Sequence, residues 1–135
     1  MSDDLSTSIR AILDDFEKNV ADAVNAETDK AIVSLVEETK ATAPVHRGKY
    51  RKSITSEKLE PVASRTHSQL WYVKSPEHRL THLLNNGHAT RNGGHVEGTG
   101  FLSNAVERVT DEYFDGVEGA IENVDGYLES DRYYK

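Results

Sequence analysis

Four histidines crowd one short stretch of the chain: His78, His82, His88 and His95. On a helix, His78 and His82 share a face and form a two-toothed metal arm, which His88 or His95 would extend to three ligands. A metal held there would make the chain a metal-dependent nucleic-acid enzyme with a histidine as general base. The pattern is incomplete. No HExxH is present, the chain has no cysteine, and no suitable acidic ligand stands close in sequence. Histidines four apart also arise often by chance, and exposed or hydrogen-bonded rings explain them more simply. RNGGHVEGTG is glycine-rich but lacks the Walker lysine and the GxGxxG order, and no GxSxG elbow exists. No catalytic residue, metal ligand or cofactor is therefore assigned, and an enzyme built on residues 78–95 stands as the alternative reading.

The same stretch reads differently through its glycines. Gly87, Gly93, Gly94, Gly98 and Gly100 fall within 14 residues. That density permits positive φ angles and close backbone approach, which suits a loop shaped for contact with another protein. His82, Gly87, His88, Arg91, Gly93, Gly94, His95 and Phe101 are the candidate interface residues. His88 and Arg91 would then act as hydrogen-bond donors or charge partners.

Charge supplies a second set of candidates. The net charge is −7, yet residues 44–98 carry nine Lys/Arg against four Asp/Glu, while the flanks carry seven against nineteen. A middle of +5 between arms summing to −12 could face nucleic acid or the acidic surface of a neighbouring subunit. The acidic arms would repel phosphate at long range, which disfavours general nucleic-acid binding. Arg47, Lys49 and Arg51 head the basic segment and join the interface candidates.

These residues need elements to position them. A length of 135 residues fits one modest core, and no apolar run reaches the length of a membrane span. The opening MSDDLSTSIR lacks the apolar region of a secretory signal, which with the absence of cysteine fits intracellular synthesis. Leu5, Ile9, Ile12, Leu13, Phe16, Val20, Val24, Ile32, Leu35 and Val36 recur mostly at three and four. They predict a long amphipathic helix over 4–43, or two consecutive ones, packed on the domain's own core, with a kink near 25–30 and a stop before Pro44. Residues 50–59 and 65–74 predict an antiparallel pair of strands, Trp71 and Val73 on one face and Leu70 and Tyr72 on the other. Residues 77–86 predict a short helix ended by Gly87. Asn104 with Glu107 predicts a capping box opening the last helix. The expected fold is α+β: long N- and C-terminal helices on a small antiparallel sheet, with a short helix and a glycine-rich loop between. One domain over 1–125 and a flexible tail over 126–135 complete it.

Two segments carry a resemblance. TAPVHRGKYRKSI and RLTHLLNNGHATRNGGHVEG resemble, in order, the signature and central blocks of the tail-component proteins of long-tailed bacteriophages, also described as tail-completion, head–tail joining or neck proteins. The likeness spans roughly residues 5–123. It departs at His46-Arg47-Gly48, where the family has an Asp-Thr-Gly type of turn. It departs again at Thr99-Gly100-Phe101-Leu102, where the family has a proline and a histidine or phenylalanine. The resemblance implies a structural protein of the virion without catalysis or cofactor, made in the host cytoplasm and acting at the junction of head and tail. It implies partners too: copies of itself in a ring, a hexamer in related tail-end proteins, together with head-completion or connector and tail-tube or terminator proteins. DNA would pass through the lumen, and no membrane is involved. A ring contact joins two different surfaces, and acidic helices against the basic middle would supply them.

Overall fold

The computed structural model describes residues 2–45, 48–61 and 64–134, with side-chain surroundings over 4–45, 48–61 and 64–124. Helix α1 runs unbroken from Ser2 to Thr42. Pro44 cannot continue it, and the final helical bond is Ala43 N–H to the Thr39 carbonyl at 2.8 Å. The orphaned carbonyls beyond are met by a side chain. Arg51 donates from Nε and Nη2 to the Ala43 carbonyl at 2.9 and 2.6 Å, and from Nη2 to the Ala41 carbonyl at 3.4 Å.

Helix α1 continues without a break through 25–30, and the polar residues there have a use. Asn25 donates to the Arg65 carbonyl at 2.9 Å and accepts from the His67 N–H at 3.0 Å. Asp29 accepts from Gln69 at 2.7 Å. The gap in the apolar stripe is where α1 is stitched to the start of the second strand.

After Gly48, whose φ is 74°, the chain enters a short helix α2, Lys49–Ser53. The strand expected from residue 50 therefore begins only at Ile54. The turn closes through Lys52 N–H to the Gly48 carbonyl at 3.2 Å, and Tyr50 is buried. Strands β1 (Ile54–Leu59) and β2 (Ser68–Val73) form an antiparallel pair in the register Ile54↔Val73 through Leu59↔Ser68. Gln69, Trp71 and Val73 alternate onto the α1 side, where Trp71 Nε1 donates to Thr39 Oγ1 at 3.0 Å. On the other face Leu59 and Leu70 are each 44% exposed.

A 3₁₀ turn, Glu77–Leu80, leads into α3, Thr81–Asn86. Helix α4 then spans Phe101–Tyr134, its backbone passing through the stretch expected to be a flexible tail. Asn104 is not its cap. The helix opens three residues earlier, where Thr99 Oγ1 accepts from Phe101 N–H at 3.3 Å and Asn85 Oδ1 accepts from Leu102 and Ser103 N–H at 3.0 and 3.1 Å.

Helix α4 lies antiparallel to α1, since its contacts step backward along it. Arg108 grips Glu38 from Nε at 2.8 Å and Nη2 at 2.5 Å, Tyr113 meets Thr28 at 3.0 Å, and Gly116 lies against Glu27. The core gathers Ala43, Tyr50, Ile54, Val73 and Phe101, with Val36, Trp71, Leu84 and Leu102 around it. The observed class is α+β, as the periodicities predict. One expectation fails: the apolar stripe of α1 is not all covered, and Leu5, Ile9, Ile12 and Leu13 stay exposed.

Candidate functional site

The glycine-rich segment is not an irregular loop but a hairpin. Strands β3 (Gly87–Ala89) and β4 (His95–Glu97) pair in the register Gly87↔Glu97, His88↔Val96, Ala89↔His95. Its turn closes through Gly93 N–H to the Thr90 carbonyl at 3.2 Å and Thr90 N–H to the Gly94 carbonyl at 2.9 Å. Gly93, at φ 81°, takes the left-handed position such a turn demands. Arg91 stands at the tip, exposed like every residue from Arg91 to Glu97.

The base of the hairpin is as tightly held as its tip is open. A Cβ on Gly87 would meet the Val96 carbonyl oxygen and Gly98 N, and one on Gly98 would meet the Asn85 carbonyl oxygen and Gly87 N. Gly87 also takes φ 87°. Only glycine lets the two strands leave α3 side by side. Thr99 N–H to the Leu84 carbonyl and Gly100 N–H to the Asn85 carbonyl, both 3.0 Å, lock the exit to the same helix.

This geometry separates the histidines. His88 shares a face of the hairpin with Val96, while His95 pairs with Ala89 on the opposite face. His82 sits exposed on α3, and His78 sits exposed in the 3₁₀ turn. Among the described residues, no three His, Asp or Glu side chains converge to hold a metal ion.

Other candidates divide in the same way. Lys49 is exposed on α2, whereas Arg51, expected at an interface, spends its guanidinium on the end of α1. Phe101, also expected at an interface, is 2% exposed and stacks edge-on against Tyr50 with ring centroids 6.1 Å apart. Its role is core packing. Arg47 lies outside the described residues.

One cluster escaped sequence reasoning. His67 Nε2 lies 2.5 Å from Asp29 Oδ1, the oxygen that also accepts from Gln69. Gln69's hydrogen bond, followed by that of His67, holds the Asp29 carboxyl below the usual carboxylate range. The cluster borders a groove of about 340 Å³ among α1, β2 and α4, lined by Ile32, Val109 and Tyr113. Asp29 and His67 are 38 positions apart, so no spacing could have joined them. No nucleophile is hydrogen-bonded to His67 among the described residues, and the pair serves as a clasp between α1 and β2.

Compared with known proteins, residues 7–87 match the model of the HK97-gp10-like family, described as "Bacteriophage HK97-gp10, putative tail-component". No curated protein and no solved structure matches the chain. No helix among the described residues is long and apolar enough to cross a membrane.

Proposed function

Because the chain belongs to the HK97-gp10-like family of bacteriophage tail components, a structural class of virion protein, we propose that it is a subunit of the ring that completes the tail at the head–tail junction. It works by protein–protein assembly and carries out no reaction. Its neighbours are further copies of itself, in a ring of hexameric type, with connector or head-completion proteins on one side and tail-tube or terminator proteins on the other. DNA passes through the lumen.

The observation that carries this reading is the hairpin. It projects from an anchored base, its tip and β4 wholly exposed. Two three-residue strands are too short to be stable alone in water, so such an arm gains order from a partner. Arg91, His88 and Val96 give that partner a cation, a ring donor and an apolar side chain. Val96 is 45% exposed.

Mass spectrometry of purified particles of the encoding phage, calibrated against the major tail protein, tests the reading. A small fixed copy number per virion is expected. Particles lacking the gene product should accumulate as separate heads and tails. Absence of the protein from mature virions would overturn the proposal.

A further inference from the structure

Among the surfaces that leave apolar side chains uncovered, two lie at opposite ends of α1 and carry opposite charge. The first is the opening of α1, where Leu5, Ile9, Ile12 and Leu13 are 64, 49, 51 and 61% exposed. They follow the i, i+4, i+7, i+8 spacing of a helix that docks one face into a groove. Around them residues 4–17 hold Asp4, Asp14, Asp15 and Glu17 against Arg10 alone. Asp14 is engaged by Arg65, while Asp4 and Asp15 form no ion pair among the described residues.

The second surface surrounds a groove of about 270 Å³ between α2 and the 3₁₀ turn, lined by Pro44, Lys49, Tyr50 and Leu80. Val45, 61% exposed, and Leu80, 38% exposed, supply apolar surface. Lys49 and Arg51 are the cations in the groove lining and Glu77 the acid. Lys52, Lys74 and Arg79, on the flanking segments of the chain, are exposed, and none of Lys49, Lys52, Lys74 and Arg79 forms an ion pair among the described residues. Lys74 is brought beside α2 by its N–H bond to the Ser53 carbonyl at 2.9 Å.

We infer that these surfaces are the two halves of one contact: the opening turns of α1 from one copy seat in the α2 groove of the next. Both halves carry apolar side chains, and their charges are opposite. Along the unbroken α1, Leu13 and Thr42 are separated by about 44 Å at 1.5 Å per residue, so a subunit cannot satisfy its own groove. A contact between two unlike patches is heterologous and propagates around a ring or along a filament. A row of four apolar side chains on one helix face is costly to leave in water, and the acids and lysines at its margin fix which end meets which. The inference rests on the reading of the chain as a self-assembling subunit and adds to the hairpin a second contact, the one between successive copies.

Sedimentation equilibrium of the full chain, from micromolar to millimolar and at low and high salt, tests it. Wild type should self-associate, less so at high salt. Asp4→Lys with Asp15→Lys, and separately Lys49→Glu with Lys52→Glu, should each weaken association by about tenfold or more, because like charges then meet. All four substitutions in one chain should restore it. Circular dichroism confirms that each variant is folded. A wild type that stays monomeric throughout overturns the inference. So does normal association of the Lys49/Lys52 variant, which would indicate α1 pairing with α1, or a folded four-fold variant that does not recover. Virion copy number is read independently: a protein missing from particles but obeying the charge swap loses the junction role and keeps the contact.

Discussion

Trp71 Nε1 donates to Thr39 Oγ1 at 3.0 Å, and Thr39, fully buried, donates in turn to the Leu35 carbonyl at 2.7 Å. A hydroxyl that both gives and accepts thus joins β2 to α1 inside the core. Removing it while keeping the shape leaves the indole N–H without its acceptor. Thr39→Val should therefore destabilise the fold by about 1–3 kcal/mol, and Thr39→Ser should recover much of that. Urea denaturation followed by the fluorescence of Trp71, the chain's one tryptophan, reads this directly. An unchanged midpoint for the valine variant would mean the bond contributes nothing.

Asn85 ties three elements together. Its Oδ1 receives Leu102 and Ser103 N–H, its Nδ2 donates to Ser103 Oγ at 2.9 Å, and its carbonyl receives Gly100 N–H. It thus caps α4 from outside that helix. Asn85→Ala should cost about 1–2 kcal/mol, the range of a lost N-cap. Amide exchange at Leu102 and Ser103 should accelerate more than exchange further along α4. Uniform acceleration would place the effect elsewhere.

What the sequence revealed and what it hid divides by range. The two long helices and the β1–β2 pair follow from local periodicity, which needs no partner to be read. Residues 50–53 look like strand because Tyr50 and Lys52 alternate with Arg51 and Ser53, and only the left-handed turn at Gly48 winds them into α2. GHA and HVE are too short for any period to declare them strands, and the glycines in and around them read as loop. Asn104 and Glu107 satisfied a local cap pattern, yet Asn85, nineteen positions upstream of Asn104, does the capping. Arg51 reads from sequence as an interface cation, since its acceptors at Ala41 and Ala43 come within reach only after the chain reverses. The tail-component assignment came from whole blocks rather than single residues, and the family match over 7–87 bears it out.

The hairpin separates folding from assembly. Gly98→Ala drives a methyl into the backbone of Asn85 and Gly87, where no flexible side chain can yield. A cost of about 1–3 kcal/mol is expected from such overpacking. His82→Ala, His88→Ala and His95→Ala replace exposed side chains, and each should stay within about 0.5 kcal/mol of wild type. Thermal denaturation of the four single variants compares them. A histidine variant as damaged as Gly98→Ala, with metal retained by the wild type after dialysis, would revive the metal reading.

Acid should weaken the packing of α1 against its neighbours. The Asp29 carboxyl is held below its ordinary range by Gln69 and His67, and that of Glu38 by Arg108. A carboxyl with a depressed folded-state pKa contributes stability that is fully present above its unfolded value, near about 4. That contribution is lost as pH falls through the lower, folded-state value. Stability should therefore drop on acidification below about pH 4, and Asp29→Asn and Glu38→Gln should each flatten that fall. Melting temperatures measured across the acid range decide it: parallel curves for wild type and both variants would rule these two carboxyls out.

Arg51 and Lys49 lie two residues apart on α2 and should fail in different ways. The guanidinium of Arg51 meets carbonyls that α1 cannot satisfy itself, while Lys49 forms no ion pair among the described residues and points its charge outward. Arg51→Ala should lower the stability of the isolated subunit by about 1–2 kcal/mol, less than a fully buried charged bond because the site is partly exposed. Lys49→Ala should change stability by no more than about 0.5 kcal/mol. Self-association should reverse the ranking once both chains are folded: Lys49→Ala loses an unpaired cation from the groove, whereas Arg51, though it also lines the groove, already spends its guanidinium on the Ala41 and Ala43 carbonyls. Denaturation and sedimentation on the same two preparations give both halves of the comparison. If Arg51→Ala is as stable as wild type yet fails to associate, its guanidinium belongs to the contact between subunits rather than to the end of α1.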